Sequence, residues 1–148
     1  GWDVPVVGHP TLGSGEVKAL MAKPENWEKV YAVGYRSCSF DAAGKLPPAT
    51  AAFVAKLQGK VALHDTSLWW VASAYDVAYL VANAVKATGG TDNEKLIAHF
   101  NGIRGWQGVF AKYSWSPTDH NRLGDSEVVM QAANSNRDGA FALAPGYS

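Results

Sequence analysis

Four groups of residues in this chain are of the types that do chemistry: the loop Gly8-His9-Pro10-Thr11, the pair His64-Asp65, the pair Asp119-His120, and the single cysteine, Cys38. The loop runs on as GHPTLGSGEVKAL, after an apolar run and into a helical pattern, which is the setting of a phosphate-binding loop. A Walker loop needs Lys and then Ser or Thr after its second glycine, whereas Gly13 is followed by Ser14 and Gly15. The dinucleotide fingerprint needs a third small residue where Lys18 stands. Neither nucleotide motif is met. The position of the loop still matters, because open α/β sheets bind ligands at the carboxyl ends of parallel strands. His9 and Thr11 would offer polar groups there, and Gly13 and Gly15 would let backbone amides approach a ligand. A glycine-rich turn without a ligand fits the same residues.

The two His/Asp pairs could serve as metal ligands or as acid-base groups. Adjacent residues rarely converge on one ion, and neither pair has a metalloprotease-type helical spacing. Asp119-His120 also lies in the turn-rich segment SPTDHNRLG, where such side chains commonly bond to backbone. There is no Gly-x-Ser-x-Gly elbow for a hydrolase, and Cys38 has neither a local signature nor an evident base. A lone cysteine also excludes an intrachain disulfide and a thiolate metal cluster within one chain. Lys+Arg 13 against Asp+Glu 13 gives formal neutrality, so no electrostatic footprint for nucleic acid or acidic membranes is present. The sequence calls for no cofactor.

The remaining binding groups are aromatic. Trp69 and Trp70 open the stretch SLWWVASAYDVAYLVANAVKATGG, residues 67–90. Core packing is the usual fate of large aromatics. Two consecutive helical residues point about 100° apart, however, so one of the pair is free to line an interface or a cleft.

These groups must be positioned by the elements around them. Ser73, Asp76, Asn83 and Lys86 recur along one stripe of the 67–90 segment, which predicts a helix whose other sides face protein. Its length would suit a membrane span, but Asp76 near its middle and a mean hydropathy of −0.12 for the chain favour a buried helix. Gly89-Gly90 supplies its left-handed stop, and Thr91 with Glu94 has the spacing of a capping box for a second helix through Phe100. Upstream, Val4–Val7 reads as a parallel-type strand. Ser14, with Glu16 in the first turn, caps a short helix closed by Pro24, and Val30–Val33 is a second strand: one crossover unit. Pro48 suits the first turn of a helix carrying Phe53, Val54 and Leu57 and stopped by Gly59. Phe110–Trp115 and Glu127–Ala133 are strand-like, and Asn134–Gly139 turns the chain into a closing hairpin at Ala140–Leu143. At 148 residues the chain can bury one core. No signal peptide is visible, and the start at Gly1-Trp2-Asp3 reads as a cut between elements.

Several segments, taken in order, resemble the type I periplasmic (extracellular) solute-binding proteins of ABC transporters, in their branched-chain amino-acid receptor-like form. They are Val4-Pro5-Val6-Val7-Gly8, Ala74-Tyr75-Asp76-Val77-Ala78, Ala84-Val85 with Gly89-Gly90-Thr91-Asp92, Gly105–Phe110, Trp115-Ser116-Pro117 with Asp119-His120, and Val128–Gln131 with Asp138-Gly139. The resemblance is to the carboxyl-terminal portion of that family. It implies an α/β fold, part of a two-lobed architecture with a parallel sheet flanked by helices and carboxyl-terminal strands. It further implies that residues 1–35 and 109–148 form second-lobe and hinge elements, and that residues 36–108 form helices of the first lobe. The implied activity is non-enzymatic capture of a small amino acid or an aromatic or aliphatic carboxylate between lobes, for an ABC importer permease, in the periplasm or another extracytoplasmic space. An amino-terminal half of the same receptor, or a second copy, would complete the clamshell. By position, His9 and Thr11 are the implied polar contacts, and Trp70, with Trp69 second, is the implied aromatic wall. The loop lacks the carboxylate that amino-acid binders of the family place there. A ligand-sensing regulatory domain of the same fold is the alternative reading, and a small α/β hydrolytic enzyme using a His/Asp site is a third.

Overall fold

The computed structural model describes residues 3–14, 17, 19–20, 23–63, 66–121 and 123–147. Strand β1 (Val6–Gly8) lies parallel to β2 (Val30–Tyr35), with Val6 opposite Val30 and Gly8 opposite Ala32. On its other edge β2 pairs antiparallel with β6 (Val128–Ala132), Tyr31 facing Ala132 and Tyr35 facing Val128. The expected parallel pair therefore forms. The short helix between its strands falls largely on Gly15, Glu16, Lys18 and neighbours that lie outside the described residues. Ser14 Oγ does accept from the Val17 amide at 3.4 Å, and Pro24 opens a 3₁₀ turn, Pro24–Trp27. On one face of the sheet Trp27, Val30 and Ala133 are buried together, with Leu12 and Val17 packed on them.

After β2 the chain passes through a 3₁₀ turn, Arg36–Cys38, into β3 (Ser39–Phe40) and then α1 (Pro48–Leu57). Pro47 and Pro48 preset the first turn of α1, and Thr50, Phe53 and Val54 face inward. Gly59, at φ 74°, turns the chain beyond it, as only a residue without Cβ does at no steric cost.

Helix α2 (Leu68–Thr88) is the longest element. Gly89 takes the left-handed cap at φ 74°, and the amides of Gly89 and Gly90 both return to Val85 O. The inward residues are Leu68, Ala72, Asp76, Leu80 and Ala84, each four after the last. This corrects one expectation. Asp76 belongs to the buried side, not to an outer polar stripe, and the solvent side instead carries Trp70, Val77, Tyr79 and Val81. Among the described residues no helix is long and apolar enough to cross a membrane. Helix α3 (Asn93–Asn101) begins one residue later than the capping-box spacing suggests, because Asp92, not Thr91, is the cap: its Oδ1 accepts from the Lys95 amide at 3.0 Å.

The last third of the chain is less regular than its pattern predicts. Only Lys112–Tyr113 of the expected Phe110–Trp115 strand is extended (β5), paired antiparallel with β4 (Trp106–Gln107). The reason is Asp76, which holds Val109, Phe110 and Ala111 in a loop. The closing turn is a two-residue hairpin, Arg137 and Ala140 exchanging backbone bonds around Asp138 (φ 54°) and Gly139 (φ 76°), the geometry that Asp-Gly favours. It leads into β7 (Phe141–Ala142), which pairs in parallel with β3. The turn also serves α2: Gly139 O accepts from the Leu68 amide at 2.7 Å, satisfying a donor at the helix start where Ser67 makes no side-chain cap. A second buried cluster, distinct from that on the sheet, joins Cys38, Phe40, Phe53, Leu63, Leu68, Leu80, Phe110, Tyr113 and Ala140.

Candidate ligand-binding site

His9 follows directly on β1 and caps the 3₁₀ turn Pro10–Gly13. Its Nδ1 accepts from the Thr11 amide at 3.3 Å and lies 3.1 Å from Thr11 Oγ1. In the neutral ring this places the proton on Nε2, which remains a donor. His9 and Thr11 are thus a bonded pair, both exposed. The loop amides are less available than the glycines suggest. The Leu12 amide bonds His9 O and the Ser14 amide bonds Thr11 O. Gly13 is buried, and a Cβ there would run into the Phe141 ring at 2.7 Å. Its role is to let β7 pack under the loop rather than to open backbone to a ligand. Gly15 lies outside the described residues.

Trp69 and Trp70 form the second pair. Their rings stack with centroids 4.2 Å apart and planes inclined by 24°. The two play the different parts that their 100° separation requires. Trp69 packs against the helical core and meets Tyr35 at 5.4 Å, while Trp70 is 54% exposed. Tyr35 in turn meets Phe110 edge-on at 4.8 Å. Tyr35 is the last residue of β2 and His9 the first after β1, so both follow the carboxyl ends of the parallel pair. Leu12 of the loop packs on the Trp27–Val30 face, whereas Tyr35 belongs to the alternate face and leads to Trp69 and Trp70. The clefts of about 620 Å³ beside Trp27 and about 490 Å³ between Phe40 and Arg137 hold none of these four residues.

The other candidate groups are otherwise engaged. Asp76 is fully buried and accepts from the amides of Val109 (2.8 Å), Phe110 (2.8 Å) and Ala111 (3.4 Å) and from the Tyr113 hydroxyl (3.1 Å). A Cβ on Gly108 would strike this carboxylate. Spacing in the sequence carried no sign of this arrangement, because its partners, three backbone amides and a tyrosine hydroxyl, lie more than thirty residues away. Asp119 Oδ1 accepts from the Asn121 amide within the turn, and His120 Nε2 meets Asn101 Oδ1 at 2.9 Å, tying the turn to the end of α3. His64-Asp65 lies outside the described residues, and among the described ones no group of three metal-ligating side chains gathers. Burial pushes the Cys38 thiol up to about 12, with Ser37 opposing and Asp76 adding to the shift, so Cys38 is no nucleophile at neutral pH.

No family model matches the sequence, and no curated protein matches it. The fold does match: a periplasmic binding protein type 1 from Bordetella pertussis Tohama I superposes with a TM-score of 0.70 at 18% identity, over 97% of this chain and 39% of that one. The chain therefore has the architecture of part of a type 1 periplasmic binding protein, a mixed α/β fold. It spans about two-fifths of the length of the structure it matches.

Proposed function

We propose that this chain is the carboxyl-terminal portion of a solute receptor that hands a small molecule to an ABC importer permease in an extracytoplasmic compartment, without catalysing a reaction. The ligand class is an amino acid or an aromatic or aliphatic carboxylate, gripped by closure of two lobes. One observation carries the reading. On a fold shared with a periplasmic binding protein, a polar pair (His9, Thr11) directly follows the carboxyl end of a parallel strand, where such sheets bind ligands. The aromatic pair (Trp69, Trp70) would add a wall through Tyr35 at the end of the neighbouring strand. His9 Nε2–H suits a carboxylate, with Thr11 fixing the ring through Nδ1, and the half-exposed Trp70 suits an apolar body. In this reading residues 1–35 and 109–148 are second-lobe and hinge elements and 36–108 first-lobe helices; Phe110, Ala111, Tyr113 and Ala140 pack with the helices. The opposing wall would come from an amino-terminal half or a second copy.

The test is titration of the receptor with amino acids and with aromatic acids such as benzoate, followed by tryptophan fluorescence and calorimetry. Trp70→Ala and His9→Ala should each weaken binding at least about tenfold. Unchanged affinity in both variants would remove the site, and no binding by any of these compounds would remove the ligand class.

A further inference from the structure

The chain contains a second parallel strand pair, β3 with β7, and a cleft opens at its carboxyl end. Phe40 and Ala142 are the paired last residues of the two strands, and both line the cleft of about 490 Å³. That volume lies within the roughly 300–1,000 Å³ of small-molecule sites. Two opposite charges, Arg137 and Asp41, border the cleft, and among the described residues no ion pair joins them. Each is held by the turn 41–45 and not by the other. The Arg137 guanidinium lies over the Phe40 ring, 3.9 Å from its centroid, and its Nη2 donates to Gly44 O at 2.6 Å. Asp41 Oδ1 accepts from the amides of Ala43 at 2.9 Å and Lys45 at 2.8 Å. The turn is closed by the Gly44 amide on Asp41 O and the Asp41 amide on Lys45 O. Nε and Nη1 of Arg137 and Oδ2 of Asp41 are left without a partner among the described residues. The other polar side chain of the lining, Ser135, is taken up by Ala132 O and the Ala142 amide. Around the charges the walls are small or apolar, with Ala142, Leu143 and Pro145.

We infer that this cleft binds a free α-amino acid with an apolar side chain, Arg137 taking its carboxylate and Asp41 its ammonium group. A guanidinium presents a fork of donors that matches a carboxylate, and a carboxylate oxygen with open lone pairs accepts from an ammonium. A simple anion would be opposed by Asp41 and a simple cation by Arg137, whereas a zwitterion satisfies both. Backbone bonds and the Phe40 ring hold the two charged groups before a ligand arrives, so binding has little side-chain ordering to oppose it. The position agrees with the chemistry, because α/β sheets bind ligands beyond the carboxyl ends of parallel strands. Every wall of the cleft comes from residues 40–44 and 135–146, so the site is complete within this chain and shares no residue with the His9–Trp70 site. It also contains the carboxylate that the loop after β1 lacks. The inference stands on the cleft and its two unpaired charges, and is independent of the inter-lobe reading.

Titration of the full 148-residue chain with L-norvaline, followed by nuclear magnetic resonance of its backbone amides and by calorimetry, tests it. Saturable shifts are expected at the amides of Ala42, Gly44 and Ala142. Pentanoate, which lacks the ammonium group, and butylamine, which lacks the carboxylate, should each bind at least about tenfold more weakly. Asp41→Asn keeps the Oδ1 acceptor that holds the turn, and Arg137→Lys keeps the charge without the fork. Each should weaken norvaline at least about tenfold with the rest of the spectrum unchanged. His9→Ala and Trp70→Ala should leave this affinity where it was, which separates the cleft from the inter-lobe site. No saturable shift at these amides up to about 10 mM, equal binding of norvaline and pentanoate, or indifference to both cleft substitutions would each overturn the proposal. Loss of binding in the His9 and Trp70 variants alone would overturn it too, and would place the amino acid between the lobes.

Discussion

A carboxylate inside a protein is costly unless its lone pairs are taken up, and Asp76 shows how this chain meets that requirement. Three consecutive amides and a tyrosine hydroxyl converge on it, so the charge fixes the path of residues 108–111 against α2. The same carboxylate explains the glycine at 108, where any side chain would occupy the space of the oxygens. Asp76→Asn is the discriminating change, because it keeps the shape and replaces one acceptor by a donor that faces donors. At least one buried amide would then be unsatisfied and the charge-assisted bonds lost. The expected loss is about 3 kcal/mol in urea unfolding, with the amides of Val109 and Phe110 losing hydrogen-exchange protection. A change below about 0.5 kcal/mol would mean that the carboxylate is incidental to the loop. Asp76 thus belongs to the scaffold, while His9, Thr11 and Trp70 keep polar or aromatic surface toward solvent.

At the level of elements, the passage from the sheet to the helices is held by side chains laid across backbone. Gln131 of β6 reaches over β2, its Nε2 donating to Ser39 Oγ at 2.7 Å and toward Cys38 O at 3.4 Å, while Ser39 Oγ donates to Tyr35 O at 2.8 Å. The space it crosses is the missing side chain of Gly34, whose Cβ would collide with the Gln131 amide. Thr50 Oγ1 ties the other end, donating to Ser37 O at 2.7 Å. Because these groups are buried, their bonds specify how β2 runs into β3. Gly34→Ala should therefore destabilise by about 1–3 kcal/mol through overpacking. The cost should shrink markedly in a Gln131→Ala background, where the obstructing amide is gone. A double-mutant cycle by chemical denaturation reads the coupling directly, and additive losses would show that Gly34 answers to something other than Gln131.

For the molecule as a whole, the sequence disclosed those parts whose determinants are local. The parallel pair, the proline-started α1, the Gly89 stop and the Asp138-Gly139 hairpin each follow from a residue type beside the feature it makes. The inward turn of Asp76, the shortening of Phe110–Trp115 and the parallel pairing of β3 with β7 depend on partners distant in sequence, and periodicity is blind to these. The candidate site was legible as two separate pairs; the stack of Tyr35 on Trp69, which brings α2 to the edge of β2, was not. The same long-range logic governs the sheet's second face. Val7, Tyr31 and Met130 are apolar there, and a parallel-type strand pair is normally covered on both sides. Toward Tyr35 that face meets Trp69 and Phe110, and toward Tyr31 it meets the segment 144–147: the Ala144 amide bonds Met130 O at 2.8 Å, and Pro145 and Tyr147 border a cavity of about 340 Å³ with the three sheet residues. Arg36 holds the segment's end, its guanidinium donating to Tyr147 O at 3.4 Å and to Ser126 O at 3.0 Å. Deleting residues 144–148 should lower the urea midpoint, by about 2 kcal/mol of stability, and raise dye binding by the bared sheet. Arg36→Gln alone should cost less than about 1 kcal/mol, since its bonds are exposed and water replaces them. If the deletion leaves the midpoint where it was, the segment merely rests on the sheet, and the cover that Val7, Tyr31 and Met130 require must come from other chain.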